Sequence, residues 1–215
     1  MIESNDKKES HELTRVRKIY DRDARFYDLS RSIVLTNRRR AMDVLDLQEG
    51  QSVLEVGCGT GENFPYLHEK VGESGKIIGV EYSEKMLEIA RRRIEKGGYQ
   101  NVELHQADAA QFTPPHKINA VLFADVLFVI PDFRLALERA ISAIETDGKV
   151  SILDFKLSDN PVFRVLNGVW RRWSNFYGGD FGRRPWEDLE ELLGNSVTME
   201  KHLLGFRYIA HGTKK

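Results

Sequence analysis

Three alternating glycines follow an apolar run in this chain. Gly57, Gly59 and Gly61 come directly after residues 53–56, and a helical pattern follows them. Glycine lets a backbone turn sharply and approach a ligand closely. A strand that runs into such a loop and then into a helix is how open α/β sheets hold a nucleotide-like cofactor. The spacing is not that of the dinucleotide pattern G-x-G-x-x-G, because Glu62 stands where its third glycine would be.

Two acidic residues accompany this glycine loop. Glu55 lies two residues before Gly57, and Glu81 closes the next apolar run, 24 residues after the same glycine. A carboxylate about 20 residues past a glycine loop is the expected acceptor for ribose hydroxyls. Glu81 is therefore the candidate ribose partner, with a charge at the start of the following helix as the alternative. For Glu55 the alternative is a surface carboxylate at a strand end.

Strand and helix patterns alternate from residue 51 onward. Ser83 is a good helix start, Gly98 a good helix stop, and Asp147-Gly148 is predicted as a turn before the fifth strand. Such alternation is typical of a parallel sheet with helices on both faces. The predicted strands cover residues 52–56, 76–81, 102–106, 120–124 and 149–155, and the predicted helices cover residues 62–71, 83–96 and 131–144.

The two ends of the chain complete the predicted architecture. Helical spacing in residues 12–46 predicts N-terminal helices, the second over residues 33–45, and residues 197–203 and 206–211 predict two final strands. The fold class is therefore α/β: a doubly wound, Rossmann-like, seven-stranded sheet, mostly parallel, with an antiparallel C-terminal edge pair and a helical lid. We expect a disordered start over residues 1–11 and a single domain over 12–215. Its predicted parts are a helical cap (12–49), a core (50–156), a lid insertion (157–193) and the final strands (194–215).

Composition limits the class of function. The chain has 215 residues, 41% hydrophobic and 30% charged, with a formal net charge of −1, so nucleic acid is an unfavoured partner. The single cysteine, Cys58, rules out an internal disulfide and a zinc cluster, and we predict no metal site. The polar start and the lack of a long apolar run predict neither a signal peptide nor a membrane span. We expect a cytoplasmic protein, with surface contact to a membrane as an open alternative.

The glycine loop with its upstream carboxylate resembles motif I of class I S-adenosylmethionine (SAM) methyltransferases. The stretches Tyr20-Asp21-Arg22 and Phe26-Tyr27-Asp28 are similar to the N-terminal Y/F-D-x-x-A-x-x-Y-D pattern of quinone-biosynthesis C-methyltransferases and bacterial phospholipid N-methyltransferases. Leu153-Asp154-Phe155-Lys156 is similar to the Leu-Glu-Phe-Ser of the quinone enzymes. From Asn160 onward the chain departs from the quinone enzymes, so their substrate residues do not transfer to it.

The resemblance implies SAM as the cofactor and S-adenosylhomocysteine as the product. The loop would hold the methionine part, Glu55 its ammonium group, Glu81 the ribose and Asp108 the adenine side. A helix cap is the alternative for Asp108, and helix packing is the alternative for the two tyrosines that would close over the cofactor. The predicted cofactor residues are Tyr20, Tyr27, Glu55, Gly57, Cys58, Gly59, Gly61, Glu81, Tyr82, Met86, Asp108, Ala109 and Ala124.

A segment rich in arginine and tryptophan, residues 161–184, forms the predicted lid. It carries no acid between Pro161 and Gly179, and an apolar stripe runs along it at helical spacing. Two interpretations stay open: a cap helix that packs this stripe onto the core, or a helix that binds an anionic membrane and covers a lipid-like substrate. The stripe consists of Val162, Leu166, Val169, Trp173 and Phe176, and the candidate substrate residues are Asp125, Trp170, Arg171, Trp173 and Tyr177.

The leading hypothesis is a SAM-dependent methyltransferase of a small lipid-like acceptor, either a phospholipid headgroup amine or a quinone-type ring. The lid arginines favour a phosphate-bearing lipid. The alternatives are an RNA or protein methyltransferase and a non-catalytic SAM-binding protein, while Glu62 disfavours a nicotinamide oxidoreductase. No catalytic base is identified, because His116, His202 and His211 are candidates by residue type alone. The sequence makes no prediction of oligomeric state.

Overall fold

The computed structural model describes residues 13–19, 21 and 36–215. Residues 13–19 are helical, and the helices that follow are α1 (Thr36–Asp43), α2 (Phe64–Val71), α3 (Glu84–Gly97), α4 (Phe133–Ser142), α5 (Asn167–Phe176) and α6 (Pro185–Leu193). The strands are β1 (Ser52–Val56), β2 (Lys76–Glu81), β3 (Val102–Gln106), β4 (Ile118–Ala124), β5 (Ile144–Phe155), β6 (Thr198–His202) and β7 (Arg207–Thr213).

One sheet contains these seven strands, in the order β3-β2-β1-β4-β5-β7-β6. Strands β1 to β5 pair in parallel, and β7 runs antiparallel to both β5 and β6. The predicted fold class is confirmed. The strand order reverses between β1 and β4, which is the place where open α/β sheets bind ligands at the carboxyl ends of their strands.

The central strands are buried because helices cover both faces of the sheet. In β1, Val53 and Leu54 are almost fully buried and belong to two different hydrophobic clusters, one on each face. This is why β1, β2 and β4 read as continuous apolar runs rather than as alternating patterns. The carboxyl ends of these strands are thereby held in fixed positions relative to one another.

Helix α3 begins and ends at the residues that the sequence predicts. The Ser83 hydroxyl accepts a hydrogen bond from the Met86 amide at 3.2 Å, and Gly98 takes the left-handed conformation after the last turn, with φ 69°. An N-cap serine satisfies an amide that the first turn leaves open, and a glycine ends the helix without strain. These two signals fix the helix that follows β2.

Strand β5 is longer than predicted. It begins at Ile144 rather than at residue 149, and the Asp147-Gly148 pair lies inside it instead of preceding it. Ile144 pairs with Ile118, and the register then shifts before Ala120, so the predicted turn is an irregularity within the strand. Asp147 takes a positive φ of 64°, which gives the local turn without ending the pairing. The other predicted boundaries that fall within the described residues lie within two residues of the observed ones.

The apolar stripe of the lid is largely exposed: Val162 is 72% exposed and Val169 is 69% exposed. The interpretation of the whole stripe as the buried side of a cap helix is therefore wrong, although one of its members, Trp173, packs against Phe155. Helix α5 also packs through Trp170 and Ser174, which directly follow the stripe positions Val169 and Trp173 and are partly and fully buried. The apolar residues of α5 extend beyond one stripe, so helical spacing alone could not show which of them face the core.

Candidate active site

A cavity opens at the carboxyl ends of β1, β2, β3 and β4. The glycine loop after β1 and the end of β2 form one wall, and the segments that follow β3 and β4 form another. The helical residues 13–19 close one side. The lining consists of Leu13, Val16, Arg17, Gly57, Gly59, Val80, Glu81, Tyr82, Ser83, Met86, Ala107, Asp108, Ala109, Asp125, Val126, Val129 and Ile130.

This cavity brings together eight of the residues predicted from the sequence: Gly57, Gly59, Glu81, Tyr82, Met86, Asp108, Ala109 and Asp125. Four other predicted cofactor residues lie on β1, in the glycine loop and at the end of β4, outside the lining: Glu55, Cys58, Gly61 and Ala124. Tyr20 and Tyr27 lie outside the described residues. The cavity therefore collects the loop, the ribose candidate and the adenine-side candidate at one edge of the sheet.

Glu81 is bound to the backbone at the cavity wall. Its Oε2 accepts a hydrogen bond from the Gly59 amide at 3.1 Å, and its Oε1 accepts one from the Ser83 amide at 2.8 Å. Burial raises the pKa of Glu81, while these backbone amides act in the opposite direction. A carboxylate offers about four acceptor sites, so Glu81 keeps capacity for hydroxyl donors in the cavity.

Glu55 lies behind the glycine loop and is 2% exposed. Its Oε1 accepts a hydrogen bond from Asn63 Nδ2 at 2.6 Å, whereas its Oε2 is buried without a hydrogen-bond partner among the described residues. Burial raises the pKa of Glu55 to about 7, against the opposing effects of Asn63 and of the Arg38 charge. A buried carboxylate oxygen without a donor is a place where a cationic or N–H group would be stabilised.

Close approach explains the first glycine of the loop. Gly57 takes a positive φ of 69°, and a Cβ at this position would lie 2.2 Å from Val126 Cγ2. Such a distance is far inside van der Waals contact, so only glycine lets the loop pass the segment after β4. The same loop buries the thiol of Cys58, and this burial raises its pKa well above the usual range. Cys58 is thus a packed side chain rather than a nucleophile.

Asp125 is held between two arginines. Its Oδ1 is 2.6 Å from Arg207 Nη2, its Oδ2 is 3.3 Å from Arg38 Nη2, and Arg38 also pairs with Glu62 at 2.6 Å. Both carboxylate oxygens of Asp125 are thus engaged by guanidinium groups. Asp132, and not Asp125, caps α4. Asp125 also has a positive φ of 59°, an uncommon conformation that turns the chain beneath the cavity.

A second buried acid lies next to this pair. Asp154 accepts hydrogen bonds from the amides of Phe155 at 2.7 Å and Phe128 at 3.1 Å. Burial raises the pKa of Asp154 to about 7, and the charge of Asp125 adds to the rise. Arg207 lowers it and is itself 1% exposed. Arg207 therefore offsets the charge of two acids, and no local feature of the sequence indicates this role.

An aromatic wall stands beside the cavity at the end of β5. The wall consists of Phe128, Phe155, Trp170, Trp173 and Phe181. The Phe155 ring centroid lies 6.1 Å from that of Trp170, 5.7 Å from Trp173 and 5.2 Å from Phe181, and Phe128 lies 6.1 Å away. Phe128 belongs to the same short segment as Val126 and Val129 of the cavity lining, whereas the five rings themselves pack against one another outside that lining.

The predicted substrate residues are divided between two places. Trp170 and Trp173 belong to the aromatic wall, and Tyr177 packs on Trp173 with a centroid distance of 5.3 Å. Asp125 lines the cavity. Arg171 is exposed on α5, and the structure does not bring it together with the others. Among the described residues that line the cavity there is no histidine, so none of the three candidates by residue type belongs to that lining.

The sequence analysis named two tyrosines of the N-terminal region as cofactor residues, but it did not identify the helical residues that line the cavity. Leu13, Val16 and Arg17 line it, and the Arg17 guanidinium lies 5.9 Å from the ring of Tyr82. Asp21 accepts a hydrogen bond from the Ser83 hydroxyl at 2.5 Å. Helical spacing predicted the helix, but which residues it would present to the cavity depends on long-range packing.

Comparison with known proteins places these features in a family. A family model described as a methyltransferase domain matches residues 47–196. The match covers more than half of the chain and includes the glycine loop, Glu81, Asp108 and the aromatic wall. The chain belongs to this methyltransferase family.

Curated relatives and solved structures agree with this assignment. The methyltransferase is 25% identical to a demethylmenaquinone methyltransferase of Listeria welshimeri over 214 residues, which covers 92% of this chain and 91% of the relative. A SAM-dependent methyltransferase from Aquifex aeolicus has a TM-score of 0.66 at 18% identity, covering 91% of this chain and 98% of the other. A Haemonchus contortus phosphoethanolamine N-methyltransferase in complex with S-adenosylhomocysteine has a TM-score of 0.68 at 15% identity, covering 82% and 52%. These two structures show a shared fold.

The protein is a SAM-dependent methyltransferase, and SAM is its cofactor. Its residues fit this group, because a buried carboxylate oxygen without a partner at Glu55 suits an ammonium group and Glu81 suits ribose hydroxyls. Within the described part of the chain, no group of three potential metal ligands lies together. No helix in that part is long and apolar enough to span a bilayer.

The raised pKa of Glu55 predicts a pH-dependent stability. A carboxylate whose folded pKa is near 7 contributes stability that is fully present below the usual glutamate pKa and is lost as the pH rises to about 7. We expect the Glu55→Gln variant to lack this pH-dependent loss. Its free energy of unfolding relative to the wild type should rise by up to roughly 3 kcal/mol between about pH 4.5 and pH 8. Urea unfolding at both pH values measures the difference. Glu69→Gln, on the exposed side of α2, should show the wild-type pH dependence, and equal slopes for Glu55→Gln and wild type would refute the assignment.

Proposed function

We propose that this methyltransferase transfers a methyl group to a ring carbon of a lipid-soluble, quinone-type acceptor in its reduced form. The observation that carries the proposal is the apolar side of the cofactor cavity after β4, where Val126, Val129 and Ile130 line it in the same segment as Phe128 of the aromatic wall. Flat aromatic side chains suit a planar ring, which they contact by stacking or edge-to-face packing. In this fold the acceptor meets the cofactor at that edge of the sheet.

We assign the cofactor roles as follows. Glu81 accepts hydrogen bonds from the ribose hydroxyls, Glu55 receives the ammonium group of the methionine part, and Asp108 stands on the adenine side. Gly57 and Gly59 allow the loop to lie against the cofactor. The supports are the lining of one cavity by Glu81, Asp108 and both glycines, and the buried acceptor atom of Glu55 directly behind the loop.

The chain positions the reaction rather than supplying a strong base. SAM, when bound, supplies a methyl group on a sulfonium. The thioether formed from that sulfonium is a good leaving group for an in-line displacement. Val126, Val129 and Ile130 line the cavity and keep water from the transfer path. Asp125, whose two oxygens are paired with Arg38 and Arg207, is suited to accept a hydrogen bond from an acceptor hydroxyl and so to orient the ring. The acceptor is expected to react as an already ionised phenol: the ring carbon would bond to the methyl group as the bond from that methyl group to sulfur breaks, S-adenosylhomocysteine would leave, and the proton of that ring carbon would pass to water.

The lid arginines no longer favour a headgroup amine. Arg164, Arg171 and Arg172 are exposed, whereas the aromatic wall presents apolar rings. A phosphate held by these arginines would lie on the outside of α5 and not beside the cavity. The demethylmenaquinone methyltransferases support the quinone-type ring as the acceptor, and the buried state of the single cysteine suits a cytoplasmic location.

A labelled-methyl assay separates the acceptor classes. The full-length protein is incubated with tritium-labelled SAM and, in parallel, with a lipid extract reduced by dithionite, with RNA and with a protein mixture. We expect label in the lipid fraction only, and its loss when the extract is oxidised beforehand, because the quinone form lacks the nucleophilic ring. Label in RNA or protein, or equal labelling of reduced and oxidised lipid, would refute the proposal.

A further inference from the structure

Exposed apolar side chains are concentrated in one region of the molecule. Among the described residues, nine large apolar side chains are exposed, and eight of them lie in residues 162–176 or in the turn between β6 and β7. The turn contributes Leu203 and Leu204, which are 52% and 57% exposed. The ninth, Leu192, lies on α6. Scattered single apolar residues on a surface are ordinary, but such a concentration marks an interaction site.

The two segments form one surface, because Ser158 joins them. The Ser158 amide donates a hydrogen bond to Asn167 Oδ1 at 2.9 Å, at the start of α5. The Ser158 hydroxyl donates one to the Leu204 carbonyl at 2.8 Å. Phe206, directly after the turn, packs on Trp170 of α5 with ring centroids 4.9 Å apart. We call the exposed apolar residues of 162–176 together with Leu203 and Leu204 the apolar face.

The turn at the edge of this face is strained. Leu203 and Leu204 have positive φ values of 47° and 57°. The left-handed region costs a residue with a Cβ roughly 1 kcal/mol or more, and glycine or asparagine occupies it more easily. The chain nevertheless holds two leucines there with their side chains in solvent. Strain and exposure together indicate that an apolar phase receives these side chains.

Positive charge surrounds the apolar face. Arg164, Arg171 and Arg172 are exposed within or beside it, and residues 161–179 contain no acid. Arginine side chains can lay their apolar stems along a surface while their charged ends reach lipid phosphates. A face that combines aliphatic residues with such a one-signed charge is complementary to an anionic membrane.

A basic cavity adjoins the turn. It has a volume of about 310 Å³, and its lining includes the cations Lys156, Arg183, Arg184 and Lys201 and the acid Asp159. Arg184 also pairs with Glu187 at 2.8 Å, and Arg183 donates a hydrogen bond to the Leu127 carbonyl at 2.9 Å. Lys156 and Lys201 are therefore the cations that depend on Asp159. Asp159 Oδ2 lies 2.5 Å from Lys201 Nζ and 3.4 Å from Lys156 Nζ, so one carboxylate serves two lysines. Lys156 is 4% exposed and shares the carboxylate of Asp159 with Lys201, so the two lysines carry one positive charge more than this acid balances. A phosphate group would supply the further negative charge.

We propose that the apolar face docks on an anionic phospholipid bilayer, with Leu203 and Leu204 in the acyl boundary and the basic cavity holding a lipid phosphate. The inner side of α5 carries Trp170 and Trp173 of the aromatic wall, so docking brings the acceptor side of the enzyme to the bilayer. That link to the acceptor rests on the proposed function, whereas the docking itself does not.

Paired variants test the apolar part. Leu203→Asn combined with Leu204→Asn removes both leucines and relieves the backbone strain, since asparagine tolerates the left-handed region. We expect co-sedimentation with phosphatidylcholine vesicles that contain phosphatidylglycerol to fall at least about 10-fold in apparent affinity, because two leucines lose apolar burial. Leu192→Gln, at the exposed site on α6, is the matched control and should bind as the wild type does. SAM affinity, measured by calorimetry, should be unchanged in both variants.

Charge variants and competing occupants complete the test. Arg184→Gln combined with Lys201→Gln should weaken binding to phosphatidylglycerol vesicles and reduce its salt dependence.

Equal binding to neutral and anionic vesicles, unchanged binding by the leucine variant, or saturation of the cavity by inorganic phosphate without vesicle binding would overturn the proposal. So would concentration-dependent dimerisation that the leucine variant abolishes, since the face would then join two copies. Intact vesicle binding with failed methyl transfer to lipid would refute the proposed function alone.

Discussion

Glu81→Ala is expected to weaken SAM binding at least about 100-fold. The carboxylate lies at the cavity wall, and hydrogen bonds from two hydroxyls to a charged acceptor contribute roughly 1.5–3 kcal/mol each. The substitution also leaves the amides of Gly59 and Ser83 without their acceptor, which loosens the glycine loop. Isothermal calorimetry with SAM and with S-adenosylhomocysteine measures the loss.

The control for this prediction is Glu84→Ala, three residues further along the chain. Glu84 lies in the first turn of α3 and pairs only at the surface with Arg91. We expect wild-type affinity for both ligands in this variant, because an exposed ion pair contributes little. Wild-type SAM affinity in Glu81→Ala would contradict the assignment of this cavity to the cofactor.

Arg207→Met is expected to destabilise the fold by about 3–5 kcal/mol, because it removes a buried cation from two buried acids, while Asp125 keeps its pair with Arg38. Asp125 lies 2.6 Å from the lost guanidinium, and Asp154 loses a charge that lowers its pKa. The guanidinium also lies 4.9 Å from the ring of Phe155, so packing in the aromatic wall is lost as well. Urea unfolding at neutral pH, with the native fold checked by circular dichroism, gives the change.

The matched control is Arg40→Met. Arg40 pairs with Glu200 at 2.6 Å, the same distance as in the buried pair, but its side chain is 53% exposed. Solvent screens such a pair, so we expect little change in unfolding free energy. Similar losses in the two variants would show that burial does not set the strength of the Asp125–Arg207 interaction.

The sheet and the glycine loop were predictable from the sequence because their signals are local. Buried parallel strands read as continuous apolar runs, and Ser83 and Gly98 delimit the helix between β2 and β3 within the chain itself. Glu81 could be proposed from its distance along the chain to the loop. These positions lie within one strand–loop–helix unit, so residues near them in the chain determine them without long-range contacts.

The charge network around Asp125 was not predictable in this way. Its partners Arg38 and Arg207 lie 87 and 82 residues away along the chain. Nothing in the neighbouring sequence of Arg207 distinguishes it from an exposed arginine on an edge strand. Only the pairing of β7 with β5 brings its guanidinium to Asp125, so the role of this residue depends on tertiary structure.

The orientation of α5 was the other feature that could not be predicted from the sequence. Helical spacing identified Val162, Val169 and Phe176 as one apolar stripe, and the prediction that such a stripe packs onto the core is the ordinary one. Trp170 and Ser174, each one residue after a stripe position, pack instead, together with Trp173 of the stripe. A helix whose apolar residues extend beyond one stripe has no sequence signal for its orientation, and its exposed apolar residues are the feature from which membrane docking is inferred.

Identifying the atom to which the enzyme transfers the methyl group tests the central proposal most directly. The wild-type protein and Glu81→Ala are given SAM with an isotope-labelled methyl group and a reduced, demethylated naphthoquinone lipid in mixed vesicles, and the product is analysed by NMR. We predict a carbon-bound ring methyl in the wild-type reaction that falls at least about 100-fold at subsaturating SAM with Glu81→Ala, in line with the binding loss. A methyl group on nitrogen or oxygen, or transfer that is unaffected by Glu81→Ala, would contradict the account.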